Sequence, residues 1–218
     1  MNVSNAITAR KSIRAFLETP VSTSLLEQLL QAAARSPSGG NVQPWRIYVV
    51  NGPAMSRFRE HLEQPVSNEP PAYEIYPQGL TEPYRSSRFK VGEDMYRLLG
   101  ISREDRPARI RRLMENYKFF GAPAAIFCFI DRQMGPPQWS DLGMFLQSFM
   151  LLATEAGLGT CAQEAWATKA QTVANFVQAP AEQMLFCGVA IGYPDEHATV
   201  NDLVSDRAAL ANFATFLD

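Results

Sequence analysis

The chain has 218 residues, of which 46% are hydrophobic and 19% charged, with a formal net charge of -2. That length and composition support a substantial core, and the balance of charge excludes a nucleic-acid binder working by counterion displacement. The only histidines, His61 and His197, are far apart in sequence, which argues against a His-based metal site and a Ser-His-Asp hydrolase. The chain opens with no basic segment leading into an apolar stretch, so no signal peptide is expected. The longest apolar segment, around Phe145 to Ala153, is too short to span a bilayer and is interrupted by Gln147 and Ser148. Cys128, Cys161 and Cys187 are an odd number without Cys-x-x-Cys spacing and read as reduced thiols. A cytoplasmic protein with no membrane or nucleic-acid partner is expected.

Residues 4 to 10 suit a short helix capped by Ser4. Arg10-Lys11-Ser12-Ile13-Arg14 follows, three cations and a hydroxyl within five positions. Arginine forks match phosphate oxygens and serine adds a donor; a solvated charged segment is the plainer reading. Ser24 to Glu27 has capping-box spacing, with Ser22 an alternative start. Leu25, Leu26, Leu29, Leu30 and Ala33 then recur at helical spacing. That helix delivers the chain to Pro37-Ser38-Gly39-Gly40-Asn41-Val42-Gln43-Pro44-Trp45. Asn41 and Gln43 each offer donors and an acceptor, which suits the polar edge of a flat heterocycle, and Trp45 suits an apolar wall. A helix-to-strand turn with a packed tryptophan is the alternative.

A strand is expected at Ile47 to Val50 and a helix at residues 53 to 64, with Pro53 in its first turn. Residues 65 to 90 are broken by Pro65, Pro70, Pro71, Pro77 and Pro83 and studded with Tyr73, Tyr76, Tyr84 and Phe89. Such a stretch reads as an insertion that covers a site, a passive packed loop being the alternative, and its aromatics argue against disorder. Helices are expected at residues 92 to 99 and 104 to 118, the second capped by Asp105. Apolar strands are expected at Ala124 to Ile130 and Met184 to Ile191. Between them lie a long, almost wholly apolar helix from Trp139 to Ala156, an extended stretch Cys161 to Trp166, and a helix from Thr168 to Val177. The tail from about 199 to 218 carries Arg207, Phe213 and Phe216 and is long enough to lie across a neighbouring subunit.

Nearly the whole chain, in order, resembles the nitroreductase family of flavin enzymes. The resemblance rests on the Arg10–Arg14 cluster, the Pro37–Trp45 block, the Ala122-Pro123 step into a strand, the Gly157-Leu158-Gly159-Thr160 helix end, and Arg207. The Pro-rich insertion and the Cys161–Trp166 segment are most similar to the branch containing nitrobenzoate-type reductases. The resemblance implies an α+β fold, a central mostly antiparallel sheet surrounded by helices, in one domain that forms an intertwined homodimer with FMN at the interface. It places Arg10, Ser12 and Arg207 at the FMN phosphate and Arg14 at the pyrimidine edge of the ring. Asn41 and Gln43 belong to the loop that meets the cofactor, and Pro37, Ser38 and Gly39 come from the opposite subunit. Ala162, Gln163, Glu164 and Ala165 pass beside the ring, with a backbone N–H of Glu164 or Ala165 facing flavin N5. Asn116 is a further carry-over. Some members carry a lysine two positions before the C-terminal arginine; here Ser205 stands there, and Lys11 is the substitute cation.

The chemistry so implied is hydride transfer from NADH or NADPH to FMN, then reduction of a nitroaromatic, quinone or related conjugated acceptor in a ping-pong cycle. No protein nucleophile or base is required, and no residue stands out as catalytic. Tyr84, Phe89 and Phe120 are candidates for shaping the acceptor slot, packing being the alternative for each. Two other functions compete: a specialised member of the fold that remodels its flavin or removes a halogen, and a flavin-binding protein without turnover.

Overall fold

The structure is a computed structural model that describes residues 1–64 and 69–217. The expected break at Pro65, the start of the Pro-rich stretch and the last residue of the tail lie outside the described residues. Helix α1 (Val3–Ala9) starts earlier than expected: the Asn2 carboxamide, not Ser4, accepts from the Asn5 N–H at 2.8 Å. Helix α2 (Thr23–Ala33) is capped by Ser22, whose hydroxyl faces the Leu25 N–H at 3.4 Å. Then come β1 (Arg46–Asn51), α3 (Pro53–Glu63), α4 (Tyr84–Leu98), α5 (Arg106–Met114), β2 (Ala124–Asp131), α6 (Pro136–Glu155), β3 (Gly159–Gln163), α7 (Ala170–Val177) and β4 (Gln183–Gly192).

The strands form one antiparallel sheet in the order β1-β2-β4-β3. β2 reads as a continuous apolar run because both of its faces are covered. Alternate side chains point to opposite faces. Ala124, Ile126, Cys128 and Ile130 pack toward α2 and α6, while Ala125, Phe127 and Phe129 pack toward an aromatic layer containing Phe58, Phe119 and Trp166. Trp166 lies so close to β4 that a Cβ on Gly188 would stand 2.4 Å from its ring, so glycine is the residue that fits there. Helix α6 buries Leu142, Phe145, Leu146, Phe149 and Ala153. It ends at Gly157 (φ +78°), where the Leu158 N–H reaches Ala153 O at 2.9 Å and the Gly157 N–H reaches Thr154 O at 3.1 Å. That is a Schellman closure, and it turns the chain directly into β3.

Helix α4 departs most from expectation, beginning at Tyr84 rather than near residue 92. Its first two turns are polar and carry no apolar period. They are held instead by Glu82, whose carboxylate accepts from the Ser86 N–H at 3.2 Å and from Arg85 Nε at 2.8 Å. An acidic side chain answering free N–H groups at a helix start is a local effect that hydrophobic periodicity does not register. Helix α5 is capped by Asp105 as expected, through the Ala108 N–H at 2.9 Å. It is shorter than expected, because the chain tightens into a 3₁₀ stretch from Glu115 to Gly121. There Phe119 and Phe120 both take left-handed φ values, +52° and +54°.

Cys128 and Cys187 face each other across β2 and β4 and are buried. Burial pushes the Cys128 thiol up to about 12, and burial followed by Cys128 raises Cys187 well above the ordinary value. A raised folded pKa stabilises the fold below the ordinary thiol pKa, and that contribution drains as pH rises toward the folded value. Both thiols are therefore expected to resist a thiol-specific chromophoric reagent at pH 8 and to react at once in denaturant. Thiol release monitored with and without urea tests this.

Candidate active-site cleft

The Arg10–Arg14 segment leaves α1 and runs alongside β3. The Ile13 N–H donates to Thr160 O at 2.9 Å, and Ser12 pairs with Thr160 in parallel. The approach is possible because residue 159 is glycine: a Cβ there would lie 2.6 Å from Ile13 Cγ1. Ile13 is buried as the wedge. Extended backbone alternates its side chains, so Ser12 and Arg14 face away from that wedge. Asn201 fixes the other side of the segment. Its carboxamide oxygen accepts from the Arg14 N–H at 2.7 Å, and its Nδ2 donates to Ala15 O at 2.8 Å and Asp195 O at 2.9 Å.

Beyond Asn201 the tail crosses this segment. Arg10, Lys11, Ser12, Arg14, Ser205 and Arg207 surround a cavity of about 350 Å³. The Arg207 guanidinium is turned onto its own chain, donating to Ser205 O at 3.0 Å, Ser205 Oγ at 2.8 Å and Asp206 O at 2.8 Å. Among the described residues, none of Arg10, Lys11, Arg14 and Arg207 pairs with a carboxylate. The Asp206 carboxylate is drawn off to Lys90 of α4 at 2.8 Å, which ties the tail to that helix. Lys11 and Ser205 line the same cavity.

A second cavity, of about 710 Å³, continues the first; Arg14, Val91 and Leu203 line both. One side of it is the end of β3 and the turn that follows, Cys161 to Ala165. Helix α4 presents Arg88, Val91, Gly92, Met95 and Tyr96 to it, and Arg112, Asn116 and Phe120 come from α5 and the 3₁₀ stretch. Ile75, Tyr76 and Pro77 of the Pro-rich segment complete the lining. That segment is anchored: Glu69 accepts from the Thr172 N–H and hydroxyl, the Ala72 N–H donates to Ala167 O at 2.8 Å, and the Tyr73 hydroxyl donates to Phe186 O.

Inside the cavity Gln163 and Asn116 form one unit. Gln163 Nε2 donates to Asn116 O at 2.8 Å and to its side-chain oxygen at 3.2 Å, while Trp166 Nε1 donates to the Gln163 oxygen at 3.4 Å. Gln163 is thereby spent on structure, joining β3 to the opposite wall. Glu164 and Ala165 open a 3₁₀ turn, where backbone N–H groups lack an earlier partner in the helix. Arg112 donates to Arg14 O at 3.2 Å and lies over the Phe120 ring. Its Nε is buried without a partner, and burial, then the charge of Arg14, lowers its pKa. Burial raises the Cys161 thiol, so it is a neutral group and no nucleophile at neutral pH.

The Pro37–Trp45 loop does not join this cleft within one chain. It is attached to α6, where the Ser36 hydroxyl meets Ser148 Oγ at 2.8 Å and the Gly39 N–H approaches the buried Asp141 carboxylate at 3.3 Å. Pro37, Ser38, Gly39, Asn41 and Gln43 all lie outside the cleft lining. Gly40, Asn41 and Gln43 hold φ of +57°, +57° and +48° while exposed. Left-handed backbone at non-glycine residues costs about 1–3 kcal/mol each and gathers at functional positions. Trp45 stacks on Phe145 at 5.0 Å and is part of the core, as the plainer reading of that loop has it. Of the expected slot residues, Phe120 lines the cleft; Tyr84 and Phe89 do not, and are 64% and 53% exposed. Arg88, Tyr76, Arg112 and Asn201 were missed. A helix recognised from Tyr84 onward would have exposed the first, because 88, 91, 92, 95 and 96 share one helical face.

Removing Asn201 tests the frame of the cleft. Asn201→Ala leaves the part-buried Arg14 N–H without its partner, at about 1–3 kcal/mol for an unsatisfied group, and takes one of two donors from each of Ala15 O and Asp195 O, which keep the Asp195 and Ala198 N–H groups. An unfolding free energy lowered by about 1–3 kcal/mol in urea titration is expected, and an unchanged value would show that the clamp is dispensable.

The model of the nitroreductase family matches residues 7–193. The 4-nitrobenzoate reductase of Pseudomonas putida is 36% identical over 214 residues, spanning 97% of this chain and 93% of that one. The crystal structure of the FMN and NADPH-dependent nitroreductase NfnB from Sphigopyxis sp. strain HMH superposes with a TM-score of 0.94 at 42% identity, covering 100% of both chains. That of NfnB from Mycobacterium smegmatis in complex with NADPH gives 0.89 at 28% identity, covering 99% of this chain and 97% of that one. By sequence and by fold alike, the chain belongs to the nitroreductase family.

Proposed function

We propose that the chain is an FMN-dependent oxidoreductase that takes hydride from NADH or NADPH and reduces nitroaromatic acceptors, with quinones as further substrates. The observation that carries this reading is a single cleft with two chemically different ends. Arg10, Lys11 and Arg207, none with a carboxylate partner among the described residues, stand with the Ser12 hydroxyl at one end. The Cys161–Ala165 backbone and flat side chains stand at the other. A phosphate suits the first end, since guanidinium groups and a hydroxyl supply charge-assisted donors. An isoalloxazine suits the second. The buried, partnerless Arg112 Nε and the adjacent Arg14 supply positive charge where the pyrimidine edge would lie. The Glu164 and Ala165 N–H groups supply donors for N5.

FMN held there would supply the redox chemistry, hydride uptake from the nicotinamide and delivery of an electron pair to the acceptor. With a pair of protons, an aromatic nitro group becomes a nitroso group and water. The protein's share is to bind, orient and tune. Arg14 and Arg112, close and of like charge, favour an anionic edge on the ring and so raise its potential. Because the same open face receives donor and acceptor in turn, the kinetics are ping-pong.

The partner subunit completes each site. The Pro37–Gln43 loop, held in strained conformations away from its own cleft, supplies its amides to the cleft of the second copy. The tail, in which Val204, Phe213, Phe216 and Leu217 are 77%, 71%, 78% and 91% exposed, lies across that copy in a homodimer of one-domain subunits.

Arg14→Ala is expected to move the two-electron potential of bound FMN to more negative values by about 30 mV or more, a tenfold change in equilibrium. Spectroelectrochemical titration reads it, and an unchanged potential removes the assigned role. Arg207→Ala is expected to weaken FMN about 10-fold or more, as for loss of a charged hydrogen bond, with a smaller effect on riboflavin. Equal losses for both ligands would detach Arg207 from the phosphate. Purified protein that binds no FMN would end the whole reading.

A further inference from the structure

The larger cavity holds a cation that neither end of the proposed cofactor employs. Arg88 lies in the second turn of α4, and its guanidinium carbon sits 3.9 Å from the centroid of the Tyr76 ring. Both residues line the cavity, one on α4 and one on the anchored Pro-rich segment. The guanidiniums of Arg14 and Arg112 are engaged with the backbone carbonyls of Ser12 and Arg14. Arg88 has neither a carboxylate nor a carbonyl partner among the described residues. A ring face occupies only the flat side of a guanidinium; the N–H edge stays available. Tyr76 therefore fixes the plane of the group and leaves its fork of donors free at the cavity rim.

We infer that Arg88 reads a carboxylate on the ring of the acceptor, so that the preferred substrates are nitroaromatic acids. This rests on the proposed reduction of nitroaromatics at the same cleft. A planar fork matches a carboxylate in bidentate fashion, and the bond strengthens as the substrate ring displaces water from around it. Charge favours an anion, since Arg14, Arg88 and Arg112 line the cavity against Glu164 as its only acidic residue among those described. Holding the carboxylate at the rim points a para substituent inward, toward the β3 end where Ala162 and Glu164 lie. Arg88 is thus a specificity-determining residue, with Tyr76 its positioning partner.

The test compares like-shaped ligands that differ in charge. Purified FMN-loaded protein is titrated with benzoate and benzamide, neither of which can be reduced, and assayed with 4-nitrobenzoate and its methyl ester. In Arg88→Ala, the benzoate-to-benzamide affinity ratio and the acid-to-ester ratio of kcat/KM are both expected to fall at least tenfold. Arg88→Lys should recover part of each. Tyr76→Leu should lower both ratios less than Arg88→Ala does. Ratios that stay where they are in Arg88→Ala overturn the inference. So does a fall in the NADPH-to-NADH ratio in their place, which would assign Arg88 to the nicotinamide's extra phosphate. Should neither nitro compound be reduced while the benzoate preference depends on Arg88, the carboxylate site stands and the proposed reaction fails.

Discussion

The site depends on the seam where an extended basic segment lies along the edge strand β3. Only glycine at position 159 lets Ile13 come that close, and the Ile13–Thr160 hydrogen bond locks the register. Once Ile13 is seated, strand alternation sends Ser12 and Arg14 to the other side. Asn201 then closes the arrangement from the C-terminal side, bonding both faces of the same segment. Placement of the cations is thus a backbone matter. Their long side chains reach a common cavity because the peptide beneath them is pinned at both edges.

Electrostatics give that frame its purpose. A fold that gathers Arg10, Lys11, Arg14 and Arg207 around one cavity without a carboxylate opposite them is less stable than one that disperses or pairs them. The interior wall repeats the pattern, with Arg112 partly desolvated beside Arg14. An anionic ligand that binds only the native state would offset such an arrangement. The neutral thiols, the Gln163–Asn116 unit and the Phe120 ring add no competing charge. Glu164 is the one acidic residue in that lining among those described.

The sheet and most of the helices were legible because burial on both faces leaves a continuous apolar run in β2 and β4, and burial on several sides leaves one in α6. The basic cluster and the Asn-x-Gln-Pro-Trp loop were legible as unusual polar sets at turns. The start of α4 was not, since Glu82 and local side-chain bonds hold it without an apolar stripe. With the wrong start, the helical face carrying Arg88 stayed hidden, and Tyr84 and Phe89 drew attention in its place. Asn201 gave no signal either: it is a lone asparagine near the tail whose partners are main-chain atoms, those of Arg14 and Ala15 far away in sequence. The loop at residues 37 to 43 shows a different limit. Its motif was clear, but one chain folds it against its own α6 and away from its own cleft.

The left-handed pair at Phe119 and Phe120 bears on how freely the cleft can change. Two neighbouring aromatics in that conformation divide their loyalties, one ring joining the Trp166 layer and the other facing the cavity beneath Arg112. At most core positions, exchanging a phenylalanine for a smaller residue loses packing and gains nothing. Here a glycine at 120 would also relax the main chain, by about 1 kcal/mol on the scale of a left-handed site. Phe120 is itself a member of that core cluster, so the relaxation offsets only part of the roughly 3–5 kcal/mol that losing a buried ring costs, and the cavity wall is less costly to hollow out here than at a core phenylalanine with ordinary backbone.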